Sequence, residues 1–229
     1  MDIKVIASGS SGNCYRISDG ETTFLLDAGI PFKSIQIGCD FQTSGIRGCL
    51  VTHRHGDHAK AVPKLLERGI PVYGPEDLQE IYTKRVKRLK PLEHYNIGMM
   101  DVLAFPTQHD VECYGYLIRS LLTGDKLLYV TDSAYIKYRF SGLTHIMVEA
   151  NYSQDIIMDN ARGNRIPAFL AERIIKTHMS IETTLQMLKA NDLHQVRQIY
   201  LLHLSDGNSD AAKFKAMVQK ETGAEVYVY

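Results

Sequence analysis

Three histidines and an aspartate crowd into six consecutive residues, in a chain that has nine histidines in total. The apolar residues before them predict a buried β-strand that ends where this stretch begins. Side chains two apart in extended chain point the same way, so His53 and His55 can reach one metal ion together. Gly56 relaxes the backbone, and Asp57 and His58 then open the next helix, which is predicted over residues 58–68. Imidazole and carboxylate groups are ligands of zinc, manganese and iron in catalytic sites, which predicts a metal centre.

The length and composition fit one globular domain, which we expect to span residues 1–229. The chain is 45% hydrophobic and 23% charged, and no linker or repeat divides it. The 26 basic residues balance the 26 acidic ones, so net charge neither favours nor excludes a nucleic-acid partner. Four cysteines without C-x-x-C spacing favour a reducing compartment. Without a signal-peptide core or an apolar run of the ~20 residues that a membrane span needs, we expect a cytoplasmic protein with no membrane partner.

Metal-capable or acidic residues recur at the carboxyl ends of the predicted strands. They are Asp27, His53, His109, Asp132, Glu149 and His203. The strands alternate with helices in an α/β pattern, and active sites of α/β proteins gather at such strand ends. Six such residues along one chain therefore predict a single convergent site. The competing interpretation is a cluster of surface histidines at one strand end.

These residues resemble the five motifs of the metallo-β-lactamase superfamily, and they match them in chain order over most of the sequence. The resemblance implies an α/β fold, the four-layer αβ/βα sandwich of that superfamily, with a dinuclear metal site between its halves. It implies that His53, His55 and His109 hold the first metal ion. Asp57, His58 and His203 would hold the second, with Asp132 bridging the two. Asp27 would support the ligands from behind.

Finer features are similar to one branch of this superfamily, the YycJ/WalJ-type exonucleases. An aspartate at the fourth motif, Asp132, is similar to the phosphodiesterase and glyoxalase branches, whereas zinc β-lactamases usually have cysteine there. The segments that carry the similarity to the exonucleases are residues 7–14, 149–151, 178–180 and 203–208. The chain departs from that branch at Thr177 and Ile181, where the branch usually has glycine and asparagine. DNA exonuclease activity is what this resemblance implies.

We assign catalytic roles to Asp57, Asp132 and His178. Two divalent ions about 3.5–4 Å apart can share a bridging hydroxide and clamp the attacking and leaving oxygens of a phosphodiester. Asp57 would act as a ligand of the second ion, and Asp132 would hold the hydroxide with both ions. His178 would donate a proton to a phosphoryl or leaving oxygen; the alternative is a helix-capping or core histidine. The ligands admit zinc or manganese, with iron as a further candidate.

Eight further residues are candidates for supporting the ligands or contacting substrate. They are Asp27, Ser10, Ser11, Asn13, Glu149, Asn151, Ser205 and Asn208. The serines and Asn13 lie in a glycine-containing loop that either presents N–H groups to phosphate or is a plain tight turn. Glu149 and Asn151 are either supports or ordinary polar strand ends. Ser205 and Asn208 either face substrate or cap the last helix, and capping is favoured for Asn208.

The leading functional hypothesis is a dinuclear-metal-dependent phosphodiesterase acting on nucleic acid, with DNA exonuclease activity favoured over action on RNA. The alternative is a small-molecule hydrolase of cyclic phosphodiesters, thioesters or lactones. The second alternative is a metal-stabilised, non-catalytic binding module. A basic run, from Lys84 to Lys90, closes a helix predicted over residues 77–90. We interpret this basic run as the solvated face of that helix, in preference to a contact with a nucleic-acid backbone.

Overall fold

The computed structural model describes residues 1–82 and 85–229, and the chain forms two compact units. One unit comprises Met1–Pro106 and Val111–Asp125, and the other comprises Thr107–Asp110 and Lys126–Tyr229. The prediction of a single domain stays a prediction. Over the described ranges, we find no helix whose length and apolar character would let it cross a membrane.

The first unit contains a sheet of six described strands in the order β1 to β6. The strands are β1 (Asp2–Ala7), β2 (Cys14–Ser18), β3 (Thr23–Leu26), β4 (Ile46–Leu50), β5 (Val72–Gly74) and β6 (Lys87–Arg88). The β1-β2 and β2-β3 pairs are antiparallel, and the pairs from β3 to β6 are parallel. Three more strands pair antiparallel in the order β7-β8-β9, and they are β7 (His94–Ile97), β8 (Met100–Pro106) and β9 (Tyr114–Ser120). The helices of this unit are α1 (Phe32–Gly38), α2 (Gly56–Ala59), α3 (Val62–Glu67) and α4 (Glu76–Ile81).

The second unit is built on four parallel strands in the order β10 to β13. They are β10 (Lys126–Val130), β11 (His145–Glu149), β12 (Gln198–Leu202) and β13 (Glu225–Val228). Its helices are α5 (Gln154–Arg162), α6 (Ala168–Thr177), α7 (Ile181–Lys189) and α8 (Ala211–Thr222). Helix α6 begins directly after Pro167. Ser180 caps α7, because its hydroxyl accepts from the Thr183 N–H at 3.2 Å.

Parallel pairing gathers the candidate residues at strand ends within each unit. In the first unit, Leu26 pairs with Leu50, and the Asp27 N–H donates to the Leu50 carbonyl at 2.8 Å. In the second unit, Glu149 at the end of β11 pairs with Leu202 at the end of β12. The carboxyl ends of parallel strands share one edge of a sheet, so residues far apart in sequence become neighbours there.

Two predicted helices have other boundaries in the structure. The helix predicted over residues 58–68 is divided into α2 and α3, because Pro63 lies in the first turn of α3 and the Ala61 N–H donates to the Ala28 carbonyl. The helix predicted over residues 77–90 is wrong in its second half. There Lys87 and Arg88 form β6 beside β5, where exposed charges suit an edge strand. Lys84 of the basic run lies outside the described residues.

The core of the first unit is a cluster of buried apolar side chains that includes Cys14, Cys39 and Cys49. All four cysteines of the chain are buried, and none forms a disulfide among the described residues. Each buried valine, leucine or isoleucine of such a core contributes about 1.5–3 kcal/mol to stability. This packing fixes the strands whose ends carry the candidate ligands.

Candidate metal centre

Asp27 is the fixed point of the histidine cluster in the first unit. Its carboxylate is fully buried and accepts from the Thr52 N–H at 2.7 Å and the Thr52 hydroxyl at 3.0 Å. Its other oxygen lies 2.8 Å from His58 Nδ1. Asp27 has a φ of 55°, a left-handed conformation that a non-glycine residue keeps only when its surroundings hold it there. The contact of Asp27 with His58 Nδ1 is the one that a residue supporting a metal ligand would make.

His53 and His55 converge as the extended spacing predicts. His53 Nε2 lies 3.0 Å from His55 Nδ1, and the ring centroids are 4.6 Å apart. His53 is fully buried, with its Nδ1 3.0 Å from the Thr52 hydroxyl and 3.8 Å from Cys113 Sγ. One small cation could therefore be contacted by both imidazoles with little movement.

His58 and Asp57 are held by the loop that follows β1. The Asn13 side chain lies 3.0 Å from His58 Nε2, and the Asn13 N–H donates to the Asp57 carbonyl at 2.8 Å. Asp57 Oδ2 lies 3.5 Å from His58 Nε2. Gly29 packs so closely on this turn that a Cβ there would lie 1.6 Å from the Asp57 carbonyl oxygen. Only glycine fits at that position without moving the turn that carries Asp57 and His58.

Thr52 is a residue that the sequence reasoning missed. A carboxylate only accepts, so the Thr52 hydroxyl donates to Asp27 and is left to accept from His53 Nδ1–H. By the same logic His58 donates Nδ1–H to Asp27. Both imidazoles then carry their lone pair on Nε2, the atom that a metal would take. The signal in the sequence was a threonine directly before His53.

Replacing Thr52 with valine removes this hydroxyl and keeps the shape of the side chain. We expect the affinity for zinc to fall about 10–100-fold, the usual loss when a group that orients a ligand is removed. Competition with a chelator measures the affinity, and ¹⁵N shifts report the His53 tautomer. Thr23→Val is the matched control, because Thr23 Oγ1 contacts Ser18 rather than a histidine. Equal zinc affinity of the Thr52 and Thr23 variants would contradict this role.

Glu149 organises the cluster of the second unit. It is fully buried, with Oε1 2.5 Å from His178 Nδ1 and 3.3 Å from His203 Nδ1. Its Oε2 accepts from the backbone N–H groups of Ser133 and Met179 at 3.1 and 3.2 Å. Both oxygens of the carboxylate are thus used, which is what a buried charge requires.

The charges of Glu149 and His178 support each other. Burial by itself raises the pKa of Glu149, but His178 outweighs it and holds that pKa below its ordinary value. Burial alone lowers the pKa of His178, yet the Glu149 carboxylate raises it overall. The His178 side chain keeps 19% exposure whereas Glu149 has none. His178 is therefore the member of the pair that solvent reaches.

Asp132, His109 and His203 complete this cluster. Asp132 Oδ2 lies 4.0 Å from His109 Nε2, and Asp132 Oδ1 lies 3.7 Å from His203 Nδ1. Asp132 and His203 both have positive φ, 48° and 55°, as Asp27 does. Burial lowers the pKa of His109 despite the carboxylates of Asp132 and Asp110, which favours the neutral imidazole that binds metals.

The remaining candidates have structural contacts of their own. Asn151 donates to the His203 carbonyl at 2.7 Å and lies 3.2 Å from His203 Nδ1, so it braces that residue. The prediction that Asn208 caps the last helix is wrong, because Asp210 is the cap of α8. Asn208 instead donates to Ser205 Oγ and accepts from Asn160, which ties this loop to α5. In the loop after β1, the serines at positions 10 and 11 are exposed, while the Asn13 side chain closes the loop onto Gly9.

The donor set of each cluster fits divalent cations. In the second unit one donor atom from each of Asp132, Glu149, His178 and His203 lies within 4.8 Å of the others. In the first unit His53 contacts His55 directly, and the Thr52 hydroxyl and the Asp27 carboxylate connect His53 to His58. Imidazole nitrogens with carboxylate oxygens are donors that zinc, manganese and iron accept.

Comparison with known proteins extends these observations. A sequence model of the family described as Beta-lactamase superfamily domain matches residues 22–204. Exodeoxyribonuclease YycJ of Bacillus anthracis is 25% identical, covering 91% of this chain and 84% of that protein. Exodeoxyribonuclease WalJ of Streptococcus pneumoniae serotype 2 (strain D39 / NCTC 7466) is 24% identical, covering 90% of this chain and 82% of that protein. The crystal structure of the metallo-beta-lactamase fold protein YhfI from Bacillus subtilis matches with a TM-score of 0.75 at 17% identity, covering 99% of this chain and 95% of that chain.

These likenesses confirm the predicted metallo-β-lactamase fold and the predicted family resemblance. The matched range contains every residue that the sequence predicts as a metal ligand, from the histidine stretch to His203. The chain therefore belongs to the beta-lactamase superfamily, and it is a metal-dependent hydrolase of that superfamily.

Proposed function

We propose that this hydrolase is a phosphodiesterase that uses two divalent metal ions and removes nucleotides from an end of DNA. The observation that carries the proposal is the contact of the buried Glu149 carboxylate with His178, beside Asp132 and His203. This contact raises the pKa of His178 and holds its partly exposed imidazole next to candidate metal ligands. Two relatives named exodeoxyribonucleases that match nine-tenths of the chain support the choice of DNA.

The ligand assignment follows the order of the sequence motifs. His53, His55 and His109 would hold one ion, Asp57, His58 and His203 would hold the other, and Asp132 would be a ligand of both. Zinc or manganese suits these donors, with iron as a further candidate. Bound divalent ions would lower the pKa of a water molecule and neutralise charge on phosphoryl oxygens.

His178 has the geometry of a proton donor held in place by Glu149. The carboxylate fixes one ring nitrogen at 2.5 Å, so the orientation of the imidazole is set before substrate arrives. His178 also stacks on His203, with ring centroids 5.2 Å apart. We propose that His178 donates to a phosphoryl oxygen or to the leaving oxygen. Asp57 and Asp132 take part in catalysis as metal ligands.

Two loops are candidates for contact with the substrate, the loop after β1 and the loop after His203. Ser10 and Ser11 are exposed on a turn that Asn13 closes, and we propose that this turn contacts a phosphate of the substrate. Ser205, which accepts from Asn208, is the candidate contact on the loop after His203.

We also propose a cytoplasmic location, which agrees with four buried cysteines that form no disulfide among the described residues.

End-labelled oligonucleotides test the activity directly. Metal-loaded protein is incubated with single-stranded DNA, duplex DNA and RNA of one sequence, and with a bis-aryl phosphate. Stepwise release of nucleotides from one end of DNA is the expected result. Faster cleavage of RNA would overturn the choice of DNA. Cleavage of the aryl ester alone would overturn the nuclease and indicate a small-ester hydrolase.

A further inference from the structure

Helix α6 presents a mixed aromatic and basic face to a groove of about 490 Å³ in the second unit. Phe169, Glu172, Arg173 and Lys176 line it, and this i, i+3, i+4, i+7 spacing places them on one side of the helix. His109 lines the groove as well. The groove therefore borders a residue that the proposed function assigns to the first metal ion.

Phe169 is unusual for a large apolar residue because it is 74% exposed. The apolar face of α6 is elsewhere, since Ala171 is buried and Ile174 packs with it on Tyr152 and Ile157. Phe169 therefore adds nothing to the core and offers an open aromatic face. Bases of single-stranded nucleic acid stack on such rings without regard to sequence.

The charged side chains of the groove suit the other parts of a nucleotide. Arg173 is 67% exposed, and its pair with Asp110 at 4.0 Å is long and solvated, so it contributes little and leaves the guanidinium available. Arg173 and Lys176 can bind phosphate oxygens. Glu172 and Asp110 also face the groove and would repel a second phosphate, but carboxylates accept hydrogen bonds from the amino groups of bases.

We propose that this groove binds the terminal nucleotides of a single strand, with the base stacked on Phe169 and a phosphate on Arg173 and Lys176. The inference rests on the proposed function for the nature of the substrate. The two acidic residues would repel a second phosphate, so the groove accepts one phosphate, and stacking on Phe169 requires an unpaired base. The groove thereby selects an unpaired end next to the metal ligand His109.

The absence of tryptophan from the chain makes a specific optical test possible. In Phe169→Trp the single indole should be quenched saturably by a single-stranded phosphorothioate oligonucleotide, which resists hydrolysis. Ile175→Trp is the control, because Ile175 is 40% exposed on the same helix but does not line the groove. Equal quenching of both variants, or quenching of neither, would overturn the groove.

Kinetics and salt dependence supply the second test. Phe169→Ala should raise KM for single-stranded DNA roughly 5- to 100-fold, whereas Ile175→Ala should leave that KM unchanged, and both variants should keep the metal content of the wild type. Arg173→Ala should reduce the slope of log affinity against log salt by about 0.7, whereas Arg162→Ala, an exposed arginine outside the groove, should not.

The two proposals fail in different ways. Unchanged KM for DNA in Phe169→Ala, with DNA still hydrolysed, would overturn the groove and leave the exonuclease. Saturable quenching of Phe169→Trp in a protein whose wild type cleaves no DNA would overturn the exonuclease and leave a nucleotide-binding groove.

Discussion

Replacing Glu149 with glutamine is expected to lower kcat for DNA hydrolysis about 10²–10⁴-fold, the range contributed by a positioned acid or base. Glu149 Oε2 accepts from two backbone N–H groups while Oε1 faces two histidines. A glutamine NH₂ group must face one of these sets and cannot accept from it. Either the N–H groups of Ser133 and Met179 lose their acceptor, or His178 loses its orientation and its charge partner.

The Glu149 variant is also expected to be less stable by about 3–5 kcal/mol, as when one member of a buried ion pair is removed. Urea unfolding measures this loss, and kcat is measured at saturating metal below the unfolding range. Glu182→Gln is the control, since Glu182 contacts Ser153 and Gln154 instead of a histidine. Normal kcat in a folded, fully metallated Glu149 variant would exclude His178 as a proton donor positioned by Glu149.

The second large effect is expected for Asp27→Asn, which keeps the shape of the side chain and replaces one carboxylate oxygen by an NH₂ donor. The carboxamide oxygen of the variant could still accept from the Thr52 N–H, but its NH₂ group would then face His58 Nδ1. His58 would have to place its lone pair on Nδ1 and its proton on Nε2. Metal binding through Nε2 would be blocked, so we expect zinc affinity to fall about 100-fold or more, at the upper end of losses from supporting groups.

Isothermal titration of the metal-free protein with zinc measures this affinity. Asp40→Asn is the control, because Asp40 also has positive φ but is exposed and pairs with Lys4 at 3.0 Å. Both substitutions conserve backbone conformation and volume, so only the buried hydrogen bonds differ. Wild-type affinity in Asp27→Asn would show that Asp27 does not set the tautomer of His58.

How far the sequence predicts the site depends on the distance over which each contact acts. His53 and His55 converge through the local geometry of extended chain, so their spacing alone predicts that they lie together, and the structure has their nitrogens 3.0 Å apart. Thr52 could not be found in that way. Its role depends on Asp27, 25 residues earlier, which reaches it only because β3 and β4 pair in parallel. Asn208 likewise pairs with Asn160, 48 residues away, instead of capping the adjacent helix.

The misplaced helix ends have a similar origin. The basic run around Arg88 has helical composition, yet sheet pairing with β5 and an ion pair with Glu76 hold Arg88 in β6. Tertiary pairing overrides local propensity at such edges. The groove on α6 also escaped prediction, because a lone phenylalanine in a helix reads as a core residue until its exposure is known.

Metal analysis of the purified protein tests the central claim, that the motif residues hold two divalent ions needed for hydrolysis. The account predicts two zinc or manganese ions per wild-type chain and at most one in Asp132→Ala. It also predicts that EDTA abolishes the release of nucleotides from DNA and that either metal restores it. Full hydrolysis by wild-type protein stripped of metal, or two ions retained by Asp132→Ala with unchanged affinity, would contradict the account.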